Sequence, residues 1–131
     1  LLVYLIDAYH EEIVKDAKGN DSKRVVMKLH PKLAPFKVAV LPLIKKDGLP
    51  EIARKLVKSF MKDGINAKYD EQHAIGKRYR RHDEVGTPYC LTIDGDSKND
   101  NCVTIRDRDT MTQERVSIEK VVELIKKKLK Q

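Results

Sequence analysis

Two short basic stretches hold the side chains most capable of chemistry in this sequence. The first, KRYRR at 77–81, places four cationic side chains in five positions, and Asp83 and Glu84 follow closely. The second, RDRDT at 106–110, alternates arginine with aspartate before a threonine. Guanidinium groups bind phosphates through paired hydrogen bonds, and arginine and aspartate can also pair with the edges of bases. Both stretches are therefore candidates for contact with nucleic acid.

Both stretches also have a purely structural interpretation. On a helix, Lys77 and Arg81 repel each other across one turn, whereas Arg80 and Glu84 attract each other, as on an ordinary solvated face. The arginines and aspartates of 106–110 can likewise pair with one another in a salt-bridge ladder. An anionic partner would offset the repulsion within 77–81, but the residue types alone leave the two interpretations open.

The overall charge favours a negatively charged partner. The 131 residues carry a net charge of +7 with a pI near 9.4, and 36% of them are charged. Ordinary domains have about 25% charged residues. Nucleic acid is the first partner that this balance indicates, and an acidic membrane surface is the second. The length fits one domain, with room for a fragment of another.

The residues needed for most other chemistries do not occur in the required patterns. Neither Cys90 nor Cys102 belongs to a CxxC motif, and the four histidines lack metal-ligand spacing, so we expect reduced thiols and no metal site. There is no GxSxG motif and no glycine-rich phosphate loop, so we expect no catalytic residue. The apolar start, LLVYLIDAY, is shorter than the roughly 20 residues that cross a bilayer, so we expect no membrane segment.

Hydrophobic periodicity predicts the elements that must position the two stretches. FKVAVLPLI at 36–44 is typical of a buried central strand, with Pro42 at its end. The next stretch predicts an amphipathic helix that is capped by Asp47 and ends at Gly64. The other predicted elements are a strand at 65–70, a helix that carries KRYRR and ends at Gly86, strands at 88–94, 102–109 and 110–118, and a last helix from Ile118 onward.

This order of elements predicts a three-layer α/β domain with a mixed sheet. Within 102–109, alternation turns Val103 and Ile105 toward the core and Arg106 outward. Upstream, residues 1–14 have the apolar spacing of an amphipathic helix, 15–24 reads as a polar loop, and 25–31 as a short strand.

Three blocks then carry a resemblance to a known family. They are LHPKLAPFKVAVLPLIKKDGLPEIA, IGKRYRRHDEVGTPYCLTID and VTIRDRDTMTQERV. In this order and spacing they resemble the C-terminal anticodon-binding domain of glycyl-tRNA synthetase, a class II enzyme, over about residues 25–125. The opening DAYHEEIV is similar to the helix that closes the catalytic domain in that family. The chain departs from the family at His73 and His82, where other small or polar residues are more common.

The resemblance implies the anticodon-binding fold, in which a five-stranded mixed sheet is flanked by three helices. It assigns 1–24 to the C-terminal helix of a missing catalytic domain plus a linker, and 25–131 to the anticodon-binding domain. It implies binding of the anticodon loop of tRNA-Gly by a chain without catalytic motifs. ATP and Mg²⁺ then belong to the missing catalytic domain of a cytoplasmic, homodimeric parent enzyme. The residues it puts forward for RNA contact are Lys77, Arg78, Arg80, Arg81, Arg106, Asp107, Arg108 and Thr110, with Tyr79 as the core anchor that turns the cations outward.

Two other functions stay open at this point. The same fold could serve a non-aminoacylating relative, such as the accessory subunit of a mitochondrial DNA polymerase or another protein-interaction module. Intact class II motifs upstream favour the synthetase, and their decay favours the accessory role. The chain could also be an independent enzyme, although we expect no formation of an adenylate from ATP and glycine.

Overall fold

The computed structural model describes residues 6–15, 19–46 and 48–130, which form two sheets and four helices. Strands β1 (Tyr9–Lys15) and β2 (Asp21–Met27) pair antiparallel, and we call this pair the hairpin. The larger sheet has five strands, in the order β4-β3-β5-β6-β7. They are β3 (Val38–Pro42), β4 (Ala67–Tyr69), β5 (Tyr89–Ile93), β6 (Cys102–Asp107) and β7 (Gln113–Ser117). The helices are α1 (Leu49–Lys62), α2 (Ile75–Val85), α3 (Ser97–Asp100) and α4 (Ile118–Leu129).

The central strand β3 organises the larger sheet. All five of its residues are buried, as expected for a strand covered on both faces. It pairs parallel with β4 and β5, whereas β6 and β7 continue the sheet antiparallel. Pro42 is its last residue, where a missing N–H does not interrupt the ladder. The prediction of an α/β fold with a five-stranded mixed sheet is therefore confirmed.

The side chains of β3 alternate between two apolar layers. Val38 and Val40 point into the main core, where they meet α1 and α4 through residues such as Phe60 and Ile125. Ala39 and Leu41 of the same strand, with Cys90 of β5, face the opposite side and pack against Ile75 and Tyr79 of α2. The sheet therefore lies between an α1–α4 layer and the helix that carries KRYRR, which confirms the three layers.

Helix α1 has the ends that its sequence indicates. Pro50 lies in the first turn, where a proline loses no intrahelical hydrogen bond. Gly64 follows the C-cap with a φ of +80°, a conformation that glycine adopts readily. The N-cap position is held by Gly48. The predicted capping residue, Asp47, is outside the described residues.

The amino-terminal prediction is wrong in part. Tyr9–Lys15 form strand β1 and not the end of a helix, although residues 6–8 are helical. Strand β2 also begins at Asp21, within the predicted polar loop, and ends at Met27. Local spacing cannot reveal this, because the two strands are held by their mutual register, in which Tyr9 lies opposite Met27 and Lys15 opposite Asp21. The assignment of 1–24 to a preceding domain stays a prediction.

Two further findings bear on the expectations from sequence. Among the helices of the described residues, none has the length and apolarity needed to cross a bilayer. Over the same residues, no group of three or more His, Cys, Asp or Glu side chains is gathered as a metal site would require. Cys90 and Cys102 are both free thiols.

Candidate nucleic-acid interface

Helix α2 distributes the cations of KRYRR over different environments. Lys77 is exposed, Arg80 and Arg81 are half-buried, and Arg78 is only 2% exposed. Tyr79 packs against the sheet, and its hydroxyl is hydrogen-bonded to Thr92. The predicted role of Tyr79 as the anchor of this helix therefore agrees with its packing, but the four cations do not share one face.

Arg78 is bonded to the backbone beneath the helix. Its Nη1 donates to the carbonyl oxygens of Pro42 at 2.6 Å and Asp70 at 3.0 Å, and its Nη2 donates to that of Leu43 at 3.2 Å. These carbonyls lie at the carboxyl ends of β3 and β4. Burial lowers the pKa of Arg78, and the neighbouring Asp70 opposes that shift. Arg78 thus holds two strand ends in place.

Arg81 belongs to a cluster around Asp70. Its Nη2 donates to Asp70 Oδ2 at 2.6 Å and to the carbonyl oxygen of Gln72 at 3.1 Å. His82 Nε2 lies 3.1 Å from the same Oδ2, and His82 Nδ1 lies 3.1 Å from Thr87 Oγ1. Burial alone would raise the pKa of Asp70, but hydrogen bonds from Gln72 N–H and Arg81 lower it overall. Burial lowers the pKa of His82 despite the carboxylate, which favours the neutral ring at neutral pH.

Lys77 and Arg80 are the cations of α2 that have no partner among the described residues. No hydrogen bond or ion pair joins either side chain to another group in the described part of the chain, and the expected Arg80–Glu84 pair is absent there. The Nη1 atom of Arg80 is nevertheless buried. Buried donors nearly always have a partner in folded proteins. Arg80 would therefore gain a bond from an external acceptor, which can reach this atom only if the side chain shifts outward.

Arg106 is buried, although its strand pattern predicts an outward position. It does lie on the face opposite Val103 and Ile105, but α2 covers that face of the sheet. Its Nη1 and Nη2 donate to Oδ1 and Oδ2 of Asp83 at 2.9 and 3.1 Å. Its guanidinium carbon lies 4.7 Å from the centre of the Tyr79 ring. The prediction of an exposed Arg106 is wrong because a strand pattern does not show what packs on its polar face.

Arg108 is also directed inward, whereas the rest of RDRDT forms a turn. Its Nη1 donates to the carbonyl oxygen of Gly86 at 2.8 Å, and its Nη2 donates to that of Leu29 at 2.7 Å. Asp107 Oδ1 accepts the N–H groups of Asp109 at 2.8 Å and Thr110 at 3.3 Å. The turn leaves Thr110 exposed.

Arg24 is a structural residue that sequence reasoning missed. It is completely buried in the hairpin, and its Nε donates to Asp83 Oδ2 at 3.0 Å. It also donates to Glu12 and to the carbonyl oxygen of Arg108. Burial would lower the pKa of Arg24, but the Asp83 and Glu12 carboxylates raise it overall. No local pattern could identify Arg24, because Asp83 lies 59 residues away in the sequence.

The hairpin and α2 enclose a cleft of about 710 Å³, which we call the α2–hairpin cleft. Four of the predicted RNA-binding residues line it, whereas Arg78 and Arg108 are bonded to internal carbonyls. The residues that the cleft brings together are Val14, Lys15 and Ser22 of the hairpin, Gly76, Lys77, Tyr79, Arg80, Arg81 and Glu84 of α2, Arg106 of β6, and Met111.

The α/β fold with a five-stranded mixed sheet defines a class of domain, and sequence comparison identifies that class. The family model for the anticodon binding domain matches residues 37–128, so the chain belongs to this family. Its relatives include glycine–tRNA ligases. The enzyme of Rhodopirellula baltica is 52% identical over 129 residues, which are 98% of this chain and 24% of that protein. The enzyme of Borrelia hermsii is 57% identical over 119 residues, which are 90% of this chain and 25% of that protein.

Solved structures confirm the fold. Prolyl-tRNA synthetase from Cryptosporidium parvum, complexed with L-proline and AMP, superposes with a TM-score of 0.74 over 90% of this chain and 31% of that chain. At 20% sequence identity this likeness concerns the fold alone. The chain spans about a quarter of the length of the glycine–tRNA ligases it matches. The predicted resemblance to the anticodon-binding domain of glycyl-tRNA synthetase is confirmed.

Proposed function

We propose that this chain binds the anticodon loop of tRNA-Gly as one domain of a glycine–tRNA ligase. The observation that carries the proposal is the pair Lys77 and Arg80 on an anticodon-binding domain, two cations about one turn apart that have no partner among the described residues. The net charge of +7 supports attraction to RNA. Anticodon loops expose unstacked bases, and proteins read RNA sequence mainly through bases of this kind.

The activity of the whole ligase is proposed from its relatives. It comprises the ATP-dependent attachment of glycine to tRNA-Gly, with ATP and Mg²⁺ bound in the catalytic domain of the whole ligase. We also propose the homodimeric state and the cytoplasmic location on the ground of this relationship. In this chain the function is recognition of the tRNA.

The RNA-contact residues can be divided by the bonds they make. Lys77 and Arg80 are the primary candidates, since neither has to give up a bond within the described part of the chain. Arg81 also lines the α2–hairpin cleft and can contribute while it stays paired with Asp70. Thr110, the other exposed candidate, can contribute hydrogen bonds from the turn. Arg78, Arg106 and Arg108 would then support the surface from within, and Asp107 would hold the turn.

The test is the affinity for a fluorescent anticodon stem-loop of tRNA-Gly over a series of salt concentrations. Replacing Lys77 and Arg80 together with alanine should weaken binding. The slope of log affinity against log salt should fall by about 0.7 for each phosphate contact that is lost. Lys58→Ala and Arg54→Ala together remove the same charge from α1, on the other side of the sheet, and should leave the slope unchanged.

Two results would contradict the proposal. An unchanged affinity and slope in the Lys77→Ala, Arg80→Ala protein would exclude this surface from RNA binding. Equal affinity for an unrelated DNA duplex would favour the non-aminoacylating accessory role over anticodon recognition. The sequence identity of about half to glycine–tRNA ligases supports the ligase.

A further inference from the structure

We propose that the α2–hairpin cleft holds one unstacked nucleotide of the bound RNA, so that the hairpin forms half of the RNA-binding surface. This inference rests on the proposed function and adds the hairpin as a second wall of the RNA-binding surface. The two hairpin strands, Tyr9–Lys15 and Asp21–Met27, lie outside the residues 37–128 that match the anticodon binding domain family. Its contribution is therefore additional to the part of the chain that the family shares.

One wall of the cleft is rich in positive charge. Lys77 and Arg80 both line the cleft, and the Arg80 Nη1 atom is buried with no partner among the described residues. Lys15 adds a third positive charge from the hairpin, where it pairs with Asp21. Glu84 is the acidic residue of the lining. A phosphate oxygen would offset the repulsion between the cations, and it would satisfy Arg80 Nη1 once that side chain shifts outward.

The opposite parts of the cleft are apolar. Val14 contributes from the hairpin and Met111 from the turn after β6. Below them, the Arg106 guanidinium lies over the Tyr79 ring at 4.7 Å. A base can pack against apolar side chains and against the plane of a guanidinium. The lining thus offers both of the surfaces that a nucleotide needs, one for its phosphate and one for its base.

The conformation of Met111 also points to a ligand. Its φ is +61°, in the left-handed region that bulky residues rarely adopt. The Met111 N–H donates to the carbonyl oxygen of Asp107 at 2.9 Å, and the Asp107 carboxylate holds the two preceding N–H groups of the turn. Such strained residues persist where their surroundings fix them, and they are frequent at ligand clamps. RDRDT therefore builds the turn that presents Met111 to the cleft.

The volume and shape favour a single-stranded ligand. At about 710 Å³ the cleft has room for one nucleotide. A base inside a duplex is stacked and cannot enter a side pocket without leaving the helix. A nucleotide of an RNA loop can enter directly, because its base is already free to turn out.

The experiment uses two neighbouring residues of the hairpin that face opposite ways. Val14 lines the cleft, whereas Ile13 is 71% exposed on the outer face. Val14→Trp fills the cleft without changing any charge, and it should weaken binding of the fluorescent anticodon stem-loop by about tenfold, the loss expected for one stacked base. Ile13→Trp adds the same bulk to the same strand and should leave the affinity within twofold.

The outcomes separate this inference from the proposed function. If Lys77→Ala with Arg80→Ala weakens binding but Val14→Trp does not, RNA binds to α2 and the nucleotide does not use the cleft. If neither change has an effect, the proposed function fails as well. Circular dichroism and a thermal melt establish that Val14→Trp is folded. If it is not, Met111→Ala replaces it as the test, with a several-fold loss of affinity expected and an unchanged affinity overturning the inference.

A second measurement locates the RNA directly. Stem-loops with thiouridine at each loop position in turn are irradiated with the 131-residue chain, and the cross-linked peptides are sequenced. We expect one loop position to cross-link to a peptide that contains Val14 or Ser22. Cross-links confined to residues of α2 and the β6–β7 turn would contradict a role for the hairpin.

Discussion

At the scale of single residues, Asp83 links the elements that form the candidate RNA-binding surface. Its two carboxylate oxygens accept three hydrogen bonds, two from Arg106 of β6 and one from Arg24 of the hairpin. All three side chains are buried. Because Arg24 and Arg106 share one carboxylate, the interior holds one positive charge in excess. Glu12, which is partly buried, balances this charge by pairing with Arg24. Asp83 therefore connects the hairpin, helix α2 and the sheet.

Asp83→Asn should lower the free energy of unfolding by about 3 kcal/mol. The substitution keeps the shape of the side chain but leaves two buried guanidinium groups without their shared charge, and breaking a buried ion pair from one side is strongly destabilising. Glu84→Gln removes the neighbouring charge on an exposed position and should change the stability by less than about 0.5 kcal/mol. Urea unfolding of both proteins measures the difference. A loss for Asp83→Asn as small as that for Glu84→Gln would contradict the role assigned to Asp83.

The sequence identifies which residues are basic but not which of them are free. Arg78, Arg80 and Arg81 look equivalent in KRYRR, but only Arg80 lacks a partner in the described structure. The difference depends on Asp70 and on carbonyls at strand ends, which come from other parts of the chain. Arg106 and Arg108 are buried for the same reason. The location of the candidate surface could be predicted from the sequence. Which of its arginines are bonded within the protein, and which are not, could not be predicted.

At the scale of elements, Gly86 fixes the junction between α2 and the hairpin. It caps α2 with a φ of +84°, and a Cβ there would lie 2.7 Å from Cδ1 of Leu29 and 3.1 Å from the carbonyl oxygen of Met27. Its own carbonyl accepts from Arg108. The end of α2 and the residues at the end of β2 thus meet at a point where no side chain fits.

Gly86→Ala should destabilise the protein by about 2 kcal/mol or more. Left-handed backbone costs alanine about 1–2 kcal/mol, and displacement of Leu29 adds to this. Gly76 lies in the same helix with open space around it, so Gly76→Ala should stabilise the protein by about 0.5–1 kcal/mol. Thermal melts of the two variants should therefore shift in opposite directions, and a shift of both in the same direction would contradict this account.

The elements themselves were predictable wherever local patterns decide them. Strand β3 follows from its apolar run, and α1 follows from its apolar stripe, Pro50 and Gly64. The hairpin was not predictable, because β2 contains the polar run DSKR and is held by pairing with β1. Long-range pairing of this kind leaves little trace in the spacing of apolar residues.

At the scale of the whole molecule, the cluster of buried His82 and Asp70 with half-buried Arg81 makes stability depend on pH. Burial holds the pKa of His82 below its usual 6.5 in the folded protein, so the unfolded chain binds the proton more strongly. The contribution of His82 is then fully present above pH 6.5 and is lost as the pH falls from there. The lowered pKa of Asp70 acts in a separate window, because that contribution disappears only below its usual pKa of 3.8.

The free energy of unfolding should therefore fall between pH 7.5 and 5, and His82 should account for a defined part of this loss. Urea unfolding across this range measures it. His82→Gln replaces the ring with a neutral side chain that can still hydrogen-bond, so its curve should be flatter than that of the original protein even though the variant is less stable at pH 7.5. His73→Gln, at an exposed loop position, should keep the original slope. Parallel curves for His82→Gln and the original protein would show that the proton taken up on unfolding binds elsewhere.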